Sequence, residues 1–193
     1  MELVLASGSP RRRELLAQLG VAFRVVVPVV DETPSVGEPP RALVARLAAA
    51  KAAAIDAPLV LAADTVVDVD GAVFGKPVDG FDARRMLTAL AGRVHEVHTG
   101  VALRREGAET VVEVVTTAVR FAPLTAVQID RYVATGEPED KAGAYAMQGR
   151  AGAFIIAIAG SPSNVIGLPL ATVARLLAVV PDGDLTVDVS AGG

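Results

Sequence analysis

Hydrophobic positions along this chain change period repeatedly, and each change marks an expected element. Glu2 to Ala6 is a short apolar strand, and Leu15, Leu16 and Leu19 then form a helical stripe over 10–19 that stops at Gly20. Ala22 to Val30 reads as extended and ends in Asp31-Glu32-Thr33-Pro34. A helix over 41–55 follows Pro39 and Pro40, with Lys51 inside the stripe Leu43, Leu47, Ile55. Leu59 to Ala63 is continuously apolar and is ended by Asp64-Thr65, the pattern of a strand buried on both faces. Asp70-Gly71 signals a hairpin within 66–74, and a helix over 81–91 closes at Gly92.

Long β-branched runs over 94–104 and 109–121 predict an antiparallel pair turning near Gly107. Thr125 with Gln128 forms a capping-box pattern that opens a helix ending near Gly136. A glycine-spaced loop over 140–153 leads to an apolar strand over 154–158. The segment 161–169 then opens a last helix reaching about Val180, and the tail 182–193 is expected to be mobile. Strands interleaved with helices in this order predict a mixed α/β fold.

One element is electrostatically odd. Ser9 is a good N-cap and Pro10 suits the first helical position, yet Arg11, Arg12 and Arg13 fill the first turn, where the helix dipole disfavours cations. Either the turn is solvated and balanced by Glu14, Asp31 and Glu32, or an anion belongs there. Three arginines beside the Ser7 and Ser9 hydroxyls and the unpaired amides of a helix start favour a phosphate group.

Composition narrows the choice. The chain has 193 residues, 52% of them hydrophobic, enough for one domain with a substantial core. A net charge of −4 argues against general nucleic-acid binding, so a phosphate site must be local. With no cysteine, disulfide and thiolate chemistry is excluded. No signal peptide or membrane-length apolar span is visible, which makes the cytoplasm the expected compartment. His95 and His98, spaced three apart in an expected strand, are a poor basis for zinc and read as ordinary surface or loop residues.

Several polar residues suggest chemistry. Asp64, at the expected carboxyl end of a strand, is either a turn cap or a catalytic or metal-binding carboxylate. Lys51 either snorkels to water or carries a buried role, and Lys76 sits in a loop that could simply be solvated. Together with the arginines, Glu32 and Gln148, these groups match phosphoryl chemistry, which needs neutralised phosphate oxygens, a metal held by carboxylates, and a base for water. Oxygen donors favour Mg²⁺ or Mn²⁺. The Walker and dinucleotide fingerprints are absent from the sequence.

The ordered blocks LASGSPRRRELLAQLG, VVDET, VLAADTVV, GKP, DKAGAYAMQGRAGAFI and NVIGLPL span nearly the whole chain and resemble the Maf family of nucleoside triphosphate pyrophosphatases. The resemblance implies an elongated mixed-sheet α/β fold, similar to inosine triphosphate pyrophosphatases, with two lobes flanking a central cleft in a single domain over 1–193. It implies hydrolysis of a nucleoside triphosphate to monophosphate and pyrophosphate with a divalent cation. Asp64 matches the proton-acceptor position, with Lys51 and Lys76 as further catalytic positions. Ser7, Arg11, Arg12, Thr65 and Gln148 match substrate-binding positions, and Glu32 joins Asp64 as a metal ligand. The block around Gln148 resembles the branch favouring dTTP and UTP, since a glutamine can pair with the imide edge of uracil or thymine. Ala146-Met147 stands where Gly-Ile is common, and the flexible thioether would broaden the choice of base. The expected partner is the nucleotide, with neither nucleic acid nor membrane, and exposed apolar positions permit a homodimer. A nucleotide-binding regulator of septum formation is the alternative from another class.

Overall fold

The computed structural model describes residues 2–180, so the tail expected to be mobile lies outside the described residues. In chain order the elements are β1 (Leu3–Ala6), α1 (Pro10–Ala17), β2 (Phe23–Val26), α2 (Pro40–Ala53), β3 (Leu59–Val69), β4 (Ala72–Phe74) and α3 (Gly80–Leu90). They continue as β5 (Val94–Arg105), β6 (Val111–Phe121), α4 (Ala126–Val133), β7 (Ile155–Ala159), α5 (Pro162–Ile166) and α6 (Leu170–Ala178). Two short 3-10 turns, Ala142–Ala144 and Arg150–Phe154, lie within the glycine-spaced loop. The seven strands form one mixed sheet in the order β2-β1-β3-β5-β6-β7, with β4 attached to β3. The chain divides into two compact units, one containing residues 2–64, 99–115 and 167–180, the other 65–98 and 116–166.

In the first unit β1 pairs in parallel with both β2 and the start of β3. Leu3 to Ala6 and Leu59 to Ala62 are all buried, which explains why these strands carry apolar side chains on both faces. Val4, Ala6, Val60 and Ala62 pack with Ala48 and Ala52 of α2 and with Ile55 just beyond its end. Small residues at this contact let the helix lie close to the sheet. The closest approach is at Gly100 of β5, where a Cβ would stand 2.2 Å from the Val44 carbonyl oxygen. Arg104 donates to the carbonyls of Ala52, Ile55 and Ala57, satisfying acceptors that the end of α2 would otherwise leave unpaired.

Three boundaries differ from the sequence expectation. β2 stops at Val26 instead of reaching Val30, because Pro28 cannot donate to the ladder and Val27 and Val29 are exposed. β3 runs on through Asp64 to Val69, since Val67 to Val69 pairs with β4 across Asp70-Gly71, both at positive φ. Its last parallel partner on β1 is nevertheless opposite Ala62, so Asp64 lies just past the end of the parallel ladder. The final helix is split into α5 and α6, at Gly167 with φ 121 and Pro169 as the N-cap of α6.

The second unit packs the β3–β4 hairpin, α3 and α4 around Val67, Phe74, Met86, Leu87, Phe121, Ile129 and Tyr145. The capping box at Thr125 and Gln128 forms as expected. Its glycine-spaced loop is shaped by packing within the protein. A Cβ at Gly143, which has φ 68, would stand 2.7 Å from Val67; at Gly149, 2.3 Å from the Glu137 carboxylate; at Gly152, 2.8 Å from the Met147 carbonyl oxygen. Close approach to a ligand is therefore not needed to explain these glycines.

Candidate active site

The strand-to-helix turn after β1 is built by the residues that start α1. The Ser7 hydroxyl accepts from the Ser9 amide at 3.2 Å and from the Arg12 guanidinium at 3.4 Å, and the Ser9 hydroxyl accepts from the Arg12 amide as the N-cap. Arg12 Nε donates to the Gly167 carbonyl at 2.8 Å, which ties this arginine to the chain just before α6. Burial pulls the Arg12 guanidinium below its ordinary value, Asp64 and Glu32 oppose that shift, and Arg11 adds to it. Arg12 thus feels both carboxylates, and it keeps its charge because a guanidinium is far from deprotonation near neutrality. Arg13 is exposed.

Lys51, from the last turn of α2, is buried at 7% exposure and does not snorkel. Its ammonium lies 2.6 Å from Asp64 Oδ1 and 2.7 Å from Glu32 Oε1. Asp64 is buried, while Glu32 reaches in from an exposed loop. A buried ammonium between two carboxylates is compensated where a lone one would not be. Ser7, Arg12, Glu32, Lys51 and Asp64 are thereby brought into one charged group in the first unit, with Arg11 close enough to act on Arg12. The two carboxylates converge on a single cation and supply hard oxygen donors, so their arrangement fits a Mg²⁺- or Mn²⁺-type ion.

Thr65, Lys76 and Gln148 belong to the second unit. Thr65 is partly buried directly after Asp64, whereas Lys76 and Gln148 are exposed in loops. The loop bearing Gln148 is anchored by Glu137, whose carboxylate accepts from the Tyr132 hydroxyl at 2.9 Å, the Arg150 amide at 3.0 Å and the Ala151 amide at 3.4 Å. Those bonds, with a charge–charge contribution from Lys141, hold the Glu137 carboxyl below its usual value against the opposing effect of burial.

Both histidines are buried, contrary to the expectation that they are surface or loop residues. An odd spacing on β5 sends their rings to opposite faces. His95 packs edge-on against Phe121 and Tyr145, hydrogen-bonds the Tyr145 hydroxyl at 2.9 Å, and is pulled by burial down to about 4. Among the described residues, Asp68, Glu96 and His98 form a group placed to hold a metal ion. Sequence reasoning missed it because the ligands come from two strands whose register is not written in the residues; the alternation of Glu96 and His98 on β5 was the available signal. Asn164, from the NVIGLPL block, is fully buried and donates to the Val97 carbonyl and Thr117 hydroxyl, which makes it a structural tie.

A family model described as Maf-like protein matches residues 2–180. The chain is 61% identical over 179 residues to a dTTP/UTP pyrophosphatase of Anaeromyxobacter sp. (strain Fw109-5), covering 91% of this chain and 87% of that protein. It is 53% identical to a dTTP/UTP pyrophosphatase of Symbiobacterium thermophilum, covering 91% and 92%. In fold it is similar to the Ham1 protein of Staphylococcus aureus, with a TM-score of 0.55 at 16% identity over 92% of this chain and 98% of that one. A HAM1 protein from Coxiella burnetii is similar to the same degree, with a TM-score of 0.55 at 17% identity over 92% and 98%.

Proposed function

This chain belongs to the Maf family, and from that membership we propose that it is a nucleoside triphosphate pyrophosphatase acting on dTTP and UTP. The observation that carries the reading is the charged group in which Lys51 bridges Asp64 and Glu32 beside Arg12. Relatives as similar as 61% over most of the chain bear the dTTP/UTP pyrophosphatase name, which supports the same substrate class here.

In the proposed reaction a water oxygen bonds to the α-phosphorus, the α–β bridging P–O bond breaks, and pyrophosphate leaves with the electron pair. Asp64 accepts the proton from the attacking water, and Lys51 holds its carboxylate in place through the 2.6 Å contact. Arg11 and Arg12 draw phosphate oxygens to the start of α1, where amides and the Ser7 hydroxyl add hydrogen bonds. Arg12 is pre-oriented by its bond to the Gly167 carbonyl. Glu32 and Asp64 would hold a divalent cation, which supplies charge neutralisation on the triphosphate when bound. Gln148 pairs with the imide edge of the base, Thr65 contributes to substrate choice, and Lys76 adds positive charge for the phosphate chain. Among the described residues no helix is long and apolar enough to cross a membrane. The cytoplasm, where nucleotide pools lie, is the proposed compartment. No specific observation favours the regulatory alternative.

The test is pyrophosphate release from a panel of triphosphates under Mg²⁺ and Mn²⁺, with wild type and Asp64→Asn. The wild type is expected to favour UTP and dTTP, and Asp64→Asn to lose about 10²- to 10⁴-fold in turnover while retaining its fold. A preference for ITP, or undiminished turnover in the variant, overturns the substrate or the base assignment respectively.

A further inference from the structure

We propose that Asp68, Glu96 and His98 bind one divalent transition-metal ion of the Zn²⁺ type, at a site that shares no residue with the charged group around Lys51. The spacing of the ligand atoms carries the inference. His98 Nε2 lies 3.3 Å from Asp68 Oδ2 and 3.5 Å from Glu96 Oε2, and all three ligand atoms lie within 4.8 Å of one another. A tetrahedral ion with metal–ligand bonds of about 2.1 Å has edges of about 3.4 Å, so the two measured edges already match such a site. An octahedral ion with the same bonds would ask for edges near 3.0 Å, about the square root of two times the bond length.

The ligands are also oriented from behind. His98 Nδ1 is 2.8 Å from the Thr116 hydroxyl, and the other Asp68 oxygen, Oδ1, accepts the Gly71 amide at 2.7 Å within the hairpin. Each of these outer partners uses the atom that would not face the ion, which is how metal ligands are normally aimed. Without an ion, His98 Nε2–H can donate to Asp68 Oδ2 at 3.3 Å; a cation would take the place of that proton, with Nδ1–H then donating to Thr116 and the Nε2 lone pair facing the ion. One nitrogen and two carboxylate oxygens form a borderline donor set, suited to Zn²⁺ and its neighbours more than to Mg²⁺. Glu96 is exposed, so water would complete the coordination of a bound ion. The ion would clip the β3–β4 hairpin to the start of β5, so its role is structural.

Metal-stripped, untagged full-length chain titrated with Co²⁺, a visible probe of tetrahedral sites, decides the matter. Wild type is expected to bind one Co²⁺ with a visible band that Zn²⁺ abolishes, and Zn²⁺ should raise Tm by roughly 5 °C. Glu96→Gln should weaken binding at least about tenfold, Thr116→Val should weaken it by about the same factor, and His98→Asn should abolish it. Mg²⁺-supported pyrophosphate release by Glu96→Gln should match wild type, which separates this site from the reaction. Absence of the Co²⁺ band in wild type overturns the proposal, as does a Co²⁺ affinity in Glu96→Gln equal to that of wild type or loss of the band in Asp64→Asn. Should His98→Asn fail to fold, Glu96→Gln decides alone, because its side chain is exposed and its loss leaves no cavity.

Discussion

Lys51 has the largest consequences of any single residue in the first unit. Replacing it with Met removes the ammonium in direct contact with a buried Asp64, so Lys51→Met should lose about 3–5 kcal/mol of stability in urea unfolding. Turnover should fall with it, whereas Lys51→Arg should recover part of the stability without restoring the 2.6 Å geometry. His95 gives a pH signature of its own. Its folded value is depressed to about 4 from 6.5 by burial, so the native state favours the neutral ring. Stability from this residue is complete above about pH 6.5, is lost as pH falls towards 4, and totals roughly 3 kcal/mol. Chemical melts of wild type and His95→Gln between pH 7 and 4 should converge as pH drops; parallel curves would show that His95 does not titrate in this way. Residue types alone made Lys51 and Asp64 legible as candidates, because a lysine in an apolar stripe and a carboxylate after an apolar run are both out of place. The histidines were misread because a strand segment does not disclose which sheet faces are covered.

The elements set how far each side chain can reach. α2 carries Lys51, and its distance from the sheet is fixed at Gly100, where a methyl group would meet the Val44 carbonyl at 2.2 Å. Gly100→Ala should therefore displace α2, cost about 1–3 kcal/mol, and lower kcat more than an equally destabilising change far from Lys51. Thermal melts alongside steady-state kinetics would separate the two effects. In the second unit the loop with Gln148 hangs on Glu137. Glu137→Gln can keep one acceptor, while Glu137→Ala leaves the Arg150 and Ala151 amides without theirs; the latter should raise KM for UTP and flatten the preference among bases, with kcat changed less. Most elements were readable from period and punctuation, including the Asp70-Gly71 hairpin and the Thr125 capping box. The extent of β3 was not, because the polar pair Asp64-Thr65 looks like a strand end until β4 is known to pair beyond it.

At the scale of the molecule, neither unit is a continuous piece of chain. The first needs α6, whose Val173, Leu176 and Leu177 are buried, as well as the opening strands. A chain ended at residue 115 should thus fail to show a cooperative urea transition although it retains β1, α1, α2 and Asp64. A sharp transition in that fragment would show that the opening residues fold unaided. Sequence order could not disclose this division, since strands β3, β5 and β6 each contribute residues to both units. The same division largely sorts the proposed roles: Ser7, Arg11, Arg12, Glu32, Lys51 and Asp64, proposed to handle phosphate and water, belong to one unit, and Thr65 and Gln148, proposed to choose the base, belong to the other, where Lys76 is the one phosphate group among them. Selection can then act on the two tasks separately. A lineage facing a new damaged or surplus nucleotide could exchange its preferred base by substitutions around Gln148 and inherit its hydrolytic chemistry unchanged.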